Sequence, residues 1–229
     1  MRRIVVFVFI FSFSVVALLG QQINQKDANG LRQGLWKKQY PDSQQLRYQG
    51  NFVDDKEVGT FYFYCQSCGE QPICVKEFFL EAPTKVRYYS KTGDLLSEGL
   101  MSGKQRTGLW RIFHENSQKV MTREMYVLGK LHGEITTYYP SGEIIETTNY
   151  VNGLKQGKNS YYAPNGVKLK ELSYRNDLLD GLATYYSHTG KITMQGDYKN
   201  GAHYGVWNYY KDGKFLVSET FPKPQNKNK

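Results

Sequence analysis

The chain has 229 residues and a formal net charge of +9, and it contains 19 Tyr, 12 Phe and 22 Gly. Few aliphatic side chains together with many Tyr and Gly are typical of a β-sheet whose faces are partly wet, and they argue against a thick dry core. The basic residues are spread along the chain and no recognised nucleic-acid motif is present, so we predict no nucleic-acid partner. The same charge favours an acidic protein, an anionic lipid surface or a polyanionic envelope sugar.

The first twenty residues are predicted to be a secretory signal peptide. Arg2 and Arg3 precede an almost wholly apolar run, from Ile4 to Leu19, after which the chain becomes polar. This run is shorter than the about 20 residues that span a bilayer, which favours cleavage near residues 17–20 over retention as an anchor. Residues 21–33 are then a linker, and we expect export to the periplasm, the cell surface or the medium.

Glycine recurs through the rest of the chain at a nearly constant interval. The steps between successive glycines are 24 or 25 residues, apart from one step of 49 in which Pro83 stands near the midpoint. A fixed period of this length indicates a repeat architecture, here with eight units. The glycines that begin the units are Gly34, Gly59, Gly108, Gly133, Gly157, Gly181 and Gly205.

Each unit has the pattern of a β-hairpin. Aromatic residues follow the glycine, a turn such as PSGE or PNGV comes next, and an alternating run then ends in another aromatic residue. Glycine in such turns is a hairpin signal because it accepts positive φ. One hairpin is marginal alone, but stacked neighbours bury each other's aromatic rows. The sequence therefore predicts an all-β fold, an elongated single-layer antiparallel β-meander of about eight hairpin repeats over residues 34–221, with a disordered basic tail at 222–229.

The unit resembles a MORN repeat. Its pattern of a glycine, a Trp or Tyr, a Tyr pair and a second aromatic before the next glycine is similar to the longer variant found in YwqK-type antitoxin proteins of bacteria. The resemblance covers residues 30–221 and is strongest in the last four units, whereas FYCQSCGEQPICVKEFFLEAP replaces the pattern in the second and third. It implies a twisted single sheet that acts by contact with a protein partner, as an antitoxin-like or immunity-like module, and it implies no catalytic residue.

The three cysteines, Cys65, Cys68 and Cys74, all lie in the second unit. A structural zinc site needs four ligands, and no His is near in sequence. A redox Cys-x-x-Cys motif needs a βαβ context that this chain lacks. In an exported protein a disulfide is the default. Cys65 and Cys74 flank a turn nearly symmetrically, which suggests a bond between them, and Cys65–Cys68 is the alternative pairing.

No motif for catalysis, for a metal ion or for a cofactor is present. The four His residues fall at different places in their units, mostly in turns, and none has a Ser or Cys partner placed by a motif. The nucleophile elbow, the phosphate loop and the zinc-protease helix motif are all absent. Paired glycosidase carboxylates need a deep cleft, which a single sheet does not supply. We therefore predict that the protein is not an enzyme and binds no cofactor.

The aromatic ladder is predicted to be mostly structural, with one row available for binding. Adjacent Tyr residues point to opposite faces of a strand, so one row is buried while the other meets a partner. A protein is the expected partner, and an envelope surface of lipid or cell-wall glycan is the alternative. The candidate binding-face aromatics are Tyr138, Tyr161, Tyr185 and Tyr209.

Overall fold

The computed structural model describes residues 22–223, and these contain strands and turns but no helix. The predicted signal peptide, residues 1–20, and most of the predicted tail lie outside the described residues. The 19 strands are β1 Gln25–Lys26, β2 Arg32–Gln39, β3 Leu46–Val53, β4 Lys56–Phe63, β5 Cys74–Phe78, β6 Thr84–Tyr89, β7 Leu95–Ser102, β8 Gln105–Phe113, β9 Val120–Val127, β10 Lys130–Leu131, β11 Gly133–Tyr138, β12 Ile144–Val151, β13 Leu154–Tyr162, β14 Lys168–Arg175, β15 Leu178–Leu179, β16 Gly181–Tyr186, β17 Ile192–Lys199, β18 Ala202–Lys211 and β19 Lys214–Phe221.

The strands form one open antiparallel sheet in which each long strand pairs with the next long strand along the chain. The long strands make eight successive hairpins, from β2–β3 to β18–β19, while the two-residue strands β10 and β15 extend the starts of β11 and β16. The predicted all-β meander of hairpin repeats is therefore confirmed. All seven glycines that begin the units have positive φ, between 63° and 102°, so each marks the same bend at the start of its hairpin.

The structure changes two details of the predicted boundaries. Residues 21–33 are not only a linker, because β1 pairs with β2 and the indole Nε1–H of Trp36 donates to the carbonyl of Gln25 at 3.1 Å. In the third unit Thr84, and not Pro83, takes the place of the initial glycine. Thr84 forms the first pair of its hairpin, with Met101, just as Gly133 forms the first pair of its own, with Tyr150.

The connections between hairpins follow the chirality of tight β-turns. Two successive residues with positive φ, such as Asn152–Gly153 (54° and 89°) and Asn200–Gly201 (50° and 83°), close the turns between units. This geometry matches the right-handed twist of the strands, and Asn and Gly adopt it at the lowest steric cost. Two-residue turns set the same register in six of the seven connections between units, and the longer loop between β5 and β6 is the exception.

The sheet has two different faces, which alternate along each strand. We call the face that carries Trp110 and Trp207 the inner face, and the opposite one the outer face. Trp110 belongs to a cluster with Cys74 and Val86, and Trp207 to a cluster with Leu172 and Ala183. The hydrophobic core is thus a line of contacts on one face.

On the inner face, a large ring lies flat on a glycine of the preceding strand. Trp110 covers Gly99 and Trp207 covers Gly196 so closely that a Cβ on either glycine would overlap the indole. Each indole also donates its Nε1–H at 2.9 Å to a carbonyl on that strand. Phe61 and Gly50 repeat the arrangement. The missing side chain therefore makes the space that the ring fills.

A second side chain closes the opposite side of each indole. The Arg106 guanidinium lies 4.2 Å from the centre of the Trp110 ring, and the His203 ring stacks on Trp207 at 3.8 Å. Arg106 and His203 each stand two residues before the glycine that begins their unit. Both indoles consequently have no exposed surface, although the sheet is a single layer.

Other units fill the same space with a different division of volume. Leu172 stands where the glycine would be, and the residue that faces it from the next unit is Ala183, which is fully buried. In this pair the large side chain, Leu172, is on the first strand and the small one, Ala183, is on the next. In the other pair Gly196 is on the first strand and the large Trp207 is on the next. In these two pairs the summed volume is conserved although the order of large and small is reversed, which is the volume rule of this position.

We predict that this volume rule can be inverted by mutation. Trp207→Ala should lower the free energy of unfolding by about 3–5 kcal/mol because it empties a fully buried site, and Gly196→Leu alone should be destabilising because its side chain overlaps the indole. The double variant reproduces the Leu172–Ala183 pair and should recover at least about 1 kcal/mol relative to the sum of the single losses. Urea titrations of all four proteins measure this, and additive losses would contradict the rule.

Candidate binding surface

The outer face carries three rows of side chains that run across the strands. The first row is aromatic and lies near the turns within the hairpins, the second is polar or charged and follows the middle of the strands, and the third is apolar and lies near the turns between units. We call the third row the apolar margin. The aromatic row consists of Tyr89, Phe113, Tyr138, Tyr162, Tyr186 and Tyr210.

The apolar margin is exposed to solvent along most of the array. Leu109 and Met125 oppose each other on β8 and β9 and are 41% and 39% exposed. Leu182 and Val206, in the last two units, are 50% and 53% exposed. Exposed apolar side chains that continue along one surface mark an interaction site more often than scattered ones do. The margin comprises Leu100, Leu109, Met125, Val127, Val151, Leu154, Leu178, Leu182, Tyr204 and Val206.

An open groove of about 810 Å³ crosses the outer face between β6 and β9. Its walls include the rings of Tyr89 and Phe113, and its floor includes Glu98, Arg111 and Arg123. A smaller pocket of about 300 Å³ continues from Glu98 and Arg111 toward the apolar margin. The three rows therefore meet in one continuous depression in the third and fourth units.

The two arginines of this groove are held by different neighbours. The Arg111 guanidinium donates to the Glu98 carboxylate at 2.6 Å. The Arg123 guanidinium lies over the Tyr138 ring, 5.5 Å from its centre. Both arginines line the groove, and their side chains remain exposed.

Three of the four candidate binding-face aromatics lie on the inner face. Tyr161, Tyr185 and Tyr209 pack against the cluster that contains Trp207. Burial raises the pKa of the Tyr185 hydroxyl, and a hydrogen bond with Tyr198 acts in the same direction. These three rings therefore stabilise the array, and the binding role that the sequence analysis gave them does not fit their packing.

Tyr138 belongs to the other row. Tyr138 pairs with Ile144 after a register shift, and Tyr162 pairs with Lys168 in the same way in the next unit. The two tyrosines are therefore equivalent, and Tyr138 lies on the outer face with Tyr162. Thr137 occupies the inner position that Tyr161 holds in the next unit. Counting four residues from each initial glycine would have found this one-residue offset, because Gly133 and Gly157 are 24 apart.

A polar network interrupts the inner face between the two clusters. The buried Asn159 amide donates to the Glu146 carboxylate at 2.7 Å and to the Thr148 hydroxyl, which donates to Glu146 at 2.8 Å. Burial of Glu146 acts to raise the pKa of its carboxyl, but hydrogen bonds from Asn159, Tyr161 and Thr148 outweigh it and hold that pKa below its usual value. The network replaces the ring-on-glycine contact in these units.

The disulfide joins Cys65 to Cys68, with their Cα atoms 5.1 Å apart, and Cys74 is free. The pairing Cys65–Cys74 that the sequence favoured is therefore not formed, and its alternative is. Cys74 lies inside β5 opposite Phe63, with its side chain buried against Val86 and Trp110, whereas Cys65 lies beyond the end of β4. Packing in the core thus holds the Cys74 side chain away from the turn after β4, where Cys65 and Cys68 form the disulfide.

Residues 22–223 contain no cluster of side chains suited to a metal ion. Over this range no three His, Cys, Asp or Glu side chains gather where they could ligate one. The same residues include no helix with the length and apolar character to cross a membrane.

Two segments match the family model of the MORN repeat variant, residues 131–152 and 179–200. The first runs from the end of β10 through the hairpin β11–β12, and the second from the end of β15 through β16–β17. The resemblance to MORN repeats is thus confirmed in the fifth and seventh units. Repeats of this kind generally form binding modules. No curated protein matches the chain.

Thiol counting tests the cysteine arrangement. Burial raises the pKa of the Cys74 thiol, so it should not react with a disulfide reagent in the native protein. After denaturation without reductant one thiol per chain should react, and after reduction all three cysteines should react. A peptide map that links Cys74 to Cys65, or a rapidly reacting native thiol, would refute the arrangement.

The Glu146 network should make stability depend on pH. Because the folded pKa of this carboxyl is lowered, its contribution is complete above the unfolded value of about 4.3 and disappears as the pH falls through the folded pKa. Glu146→Gln should therefore flatten the loss of unfolding free energy below about pH 5, and Thr148→Val, which removes one donor, should flatten it less. Denaturant titrations from pH 3 to 7 measure the slopes, and identical slopes would show that the network is uncoupled from protonation.

Proposed function

We propose that this chain, which carries repeats of the MORN variant, is an exported, non-catalytic module that binds a protein partner through its outer face. The apolar margin is the observation that carries this proposal. Single-layer sheets expose both faces, but here the inner face is largely covered by its own rings, and the outer face retains exposed aliphatic side chains near the turns between units. A protein partner with apolar groups at matching positions would remove these side chains from water, and the free energy of binding would gain from their burial.

The charges on the outer face support a protein over a lipid surface. Glu98 and Asp94 line the groove, and Glu134 and Asp197 stand beside the apolar margin on neighbouring strands. These carboxylates would repel an anionic bilayer. A folded protein can instead present both charge signs and apolar groups at matching positions.

The aromatic row is less suited to sugars than its sequence suggests. Arg123 lies over the Tyr138 ring at 5.5 Å, and the Lys168 ammonium lies over Tyr162 at 5.8 Å. These cations occupy the ring faces on which a sugar would stack. We therefore assign the aromatic row to the same protein-binding surface as the adjacent polar and apolar rows.

An immunity-like or antitoxin-like role is the specific form of this proposal. Such a protein acts by covering a surface of its target, and a rigid sheet of eight hairpins offers a long, continuous face for that purpose. The resemblance to YwqK-type antitoxins motivates the role, and export would place the encounter outside the cytoplasm.

Binding to an envelope surface is the second candidate, and the positive net charge of the chain and the lysines of its turns favour it. The chain has a formal net charge of +9, and lysines occupy turns at both edges of the sheet, including Lys104, Lys91 and Lys119. Turns of this kind can contact anionic lipid or cell-wall glycan while the faces of the sheet remain free.

Affinity purification with paired variants tests the proposal. Immobilised wild-type protein should retain a specific protein from an envelope extract of the producing organism. Leu109→Thr with Met125→Thr, or Leu182→Thr with Val206→Thr, should abolish retention because each pair removes exposed apolar area from the margin while keeping β-propensity.

The control for these variants is Leu80→Thr. Leu80 is 97% exposed in the loop between β5 and β6 and lies outside the apolar margin. This variant should retain the same protein as wild type. If all variants retain identical proteins, the outer face is not the interface, and sedimentation of wild type with liposomes or wall material would favour the envelope candidate instead.

Export predicts a processed chain. Loss of about twenty residues should lower the mass of the protein by about 2 kDa relative to the full chain. Mass spectrometry of the protein from the envelope and cytoplasmic fractions measures this. Full-length protein confined to the cytoplasm would remove export from the proposal.

A further inference from the structure

Two arginines face each other across neighbouring strands on the outer face. Arg111 on β8 is paired directly with Arg123 on β9 in the antiparallel register. Side chains opposed in this way have Cβ atoms about 4.5–5.5 Å apart, and like charges at such positions destabilise a sheet. The array therefore maintains an unfavourable pair at the floor of this groove.

The carboxylates nearby neutralise only part of this charge. Glu98 accepts a hydrogen bond from Arg111 at 2.6 Å. Within residues 22–223, no carboxylate lies within ion-pair distance of the Arg123 guanidinium. Asp94 also lines the groove, but its carboxylate accepts hydrogen bonds from the Thr92 and Ser90 hydroxyls at 2.7 and 3.2 Å and belongs to the turn. Arg123 keeps free donors toward the groove.

The groups on either side of the arginines are apolar. Tyr89 and Phe113 form the wall near one edge of the sheet. Toward the other edge the surface continues through Leu109 and Met125, which oppose each other one row away from the arginines. The strand direction thus presents aromatic, cationic and aliphatic groups in succession.

We propose that this groove binds a carboxylate of the protein partner, an Asp or Glu side chain flanked on both sides by apolar residues in an extended segment. The segment lies along the strand direction, so that its carboxylate meets Arg123 and Arg111 while its apolar side chains contact Phe113 on one side and Leu109 with Met125 on the other. This assignment rests on the proposed function, because it presumes a protein bound to the outer face.

A carboxylate fits this floor better than a more highly charged group. The planar guanidinium fork of Arg binds a carboxylate with two parallel hydrogen bonds. A phosphate or sulfate would bring additional negative charge close to Glu98 and Asp94, which remain in the groove. The apolar groups on both sides likewise fit a peptide and give a polyanionic sugar little to contact.

Selection of peptides on the full mature protein tests the proposal. A phage-displayed library of random dodecapeptides is panned on wild type, on Arg111→Gln with Arg123→Gln, and on Arg47→Gln. Peptides enriched on wild type should carry an Asp or Glu between apolar residues, and the enrichment should be lost with the double variant. Arg47 is an exposed arginine of the first hairpin, far from the groove in the strand order, so its variant should enrich the same peptides.

Calorimetry with the most enriched peptide then measures the contribution of the charge. Replacing the acidic residue of the peptide by its amide, or both arginines by Gln, should weaken binding by at least about tenfold, as expected for losing charge-assisted hydrogen bonds. Arg123→Lys keeps the charge but not the fork and should give an intermediate loss. Circular dichroism and thiol counts identical to wild type confirm that the variants fold.

Three results would overturn the proposal: no enriched peptides, enriched peptides without an acidic residue, or equal enrichment on wild type and the double variant. Polygalacturonate bound as tightly as the peptide, and through the same arginines, would identify an acidic glycan as the occupant. Partner capture from the envelope extract separates this inference from the proposed function. A partner that depends on Leu109 and Met125 but not on the arginines leaves the function standing and removes only the carboxylate site.

Discussion

An aromatic ring lying flat on a glycine is the contact on which this structure depends. A single-layer sheet has no second layer to cover a large side chain, yet Trp110 and Trp207 are fully buried. The glycine of the preceding strand lets each indole approach the backbone, and Arg106 or His203 covers its other side. Each contact joins one hairpin to the next, so the interfaces between units stabilise hairpins that would be marginal alone.

This solution makes the two faces of the sheet unequal. The inner face is occupied by rings, the glycines beneath them and the side chains that cover them, and it leaves few groups free to contact another molecule. The outer face carries exposed Leu109, Met125, Leu182 and Val206 together with paired charges. Stability and binding are thereby assigned to opposite sides of the same strands, so residues of one face can change with little effect on the other.

The sequence predicted the repeats because glycines with positive φ recur every 24 or 25 residues and turn types leave clear signals in composition. It did not predict which tyrosines lie outward. The outward Tyr lies five residues after the initial glycine. The Tyr pair begins at that position in the fifth unit, with Tyr138, but one residue earlier in the sixth, with Tyr161, so the first Tyr of each pair is not equivalent. The disulfide was assigned from spacing alone, which cannot show that Cys74 is buried in the core. Arg111 and Arg123 carry no motif, and only strand pairing brings them together.

Hydroxyl-radical footprinting of the mature protein most directly tests the claim that one face is sealed and the other is open. Trp is among the residues that react fastest with the hydroxyl radical. A Trp that stays unlabelled is therefore protected by burial and not by low reactivity. The account predicts that Trp110 and Trp207 remain unmodified in the native protein while Met125, Leu109 and Leu182 are labelled, with the half-buried Trp36 as an internal reference. Labelling of Trp110 and Trp207 at the rates found in the denatured chain, with protection of Met125 and Leu182, would contradict the account.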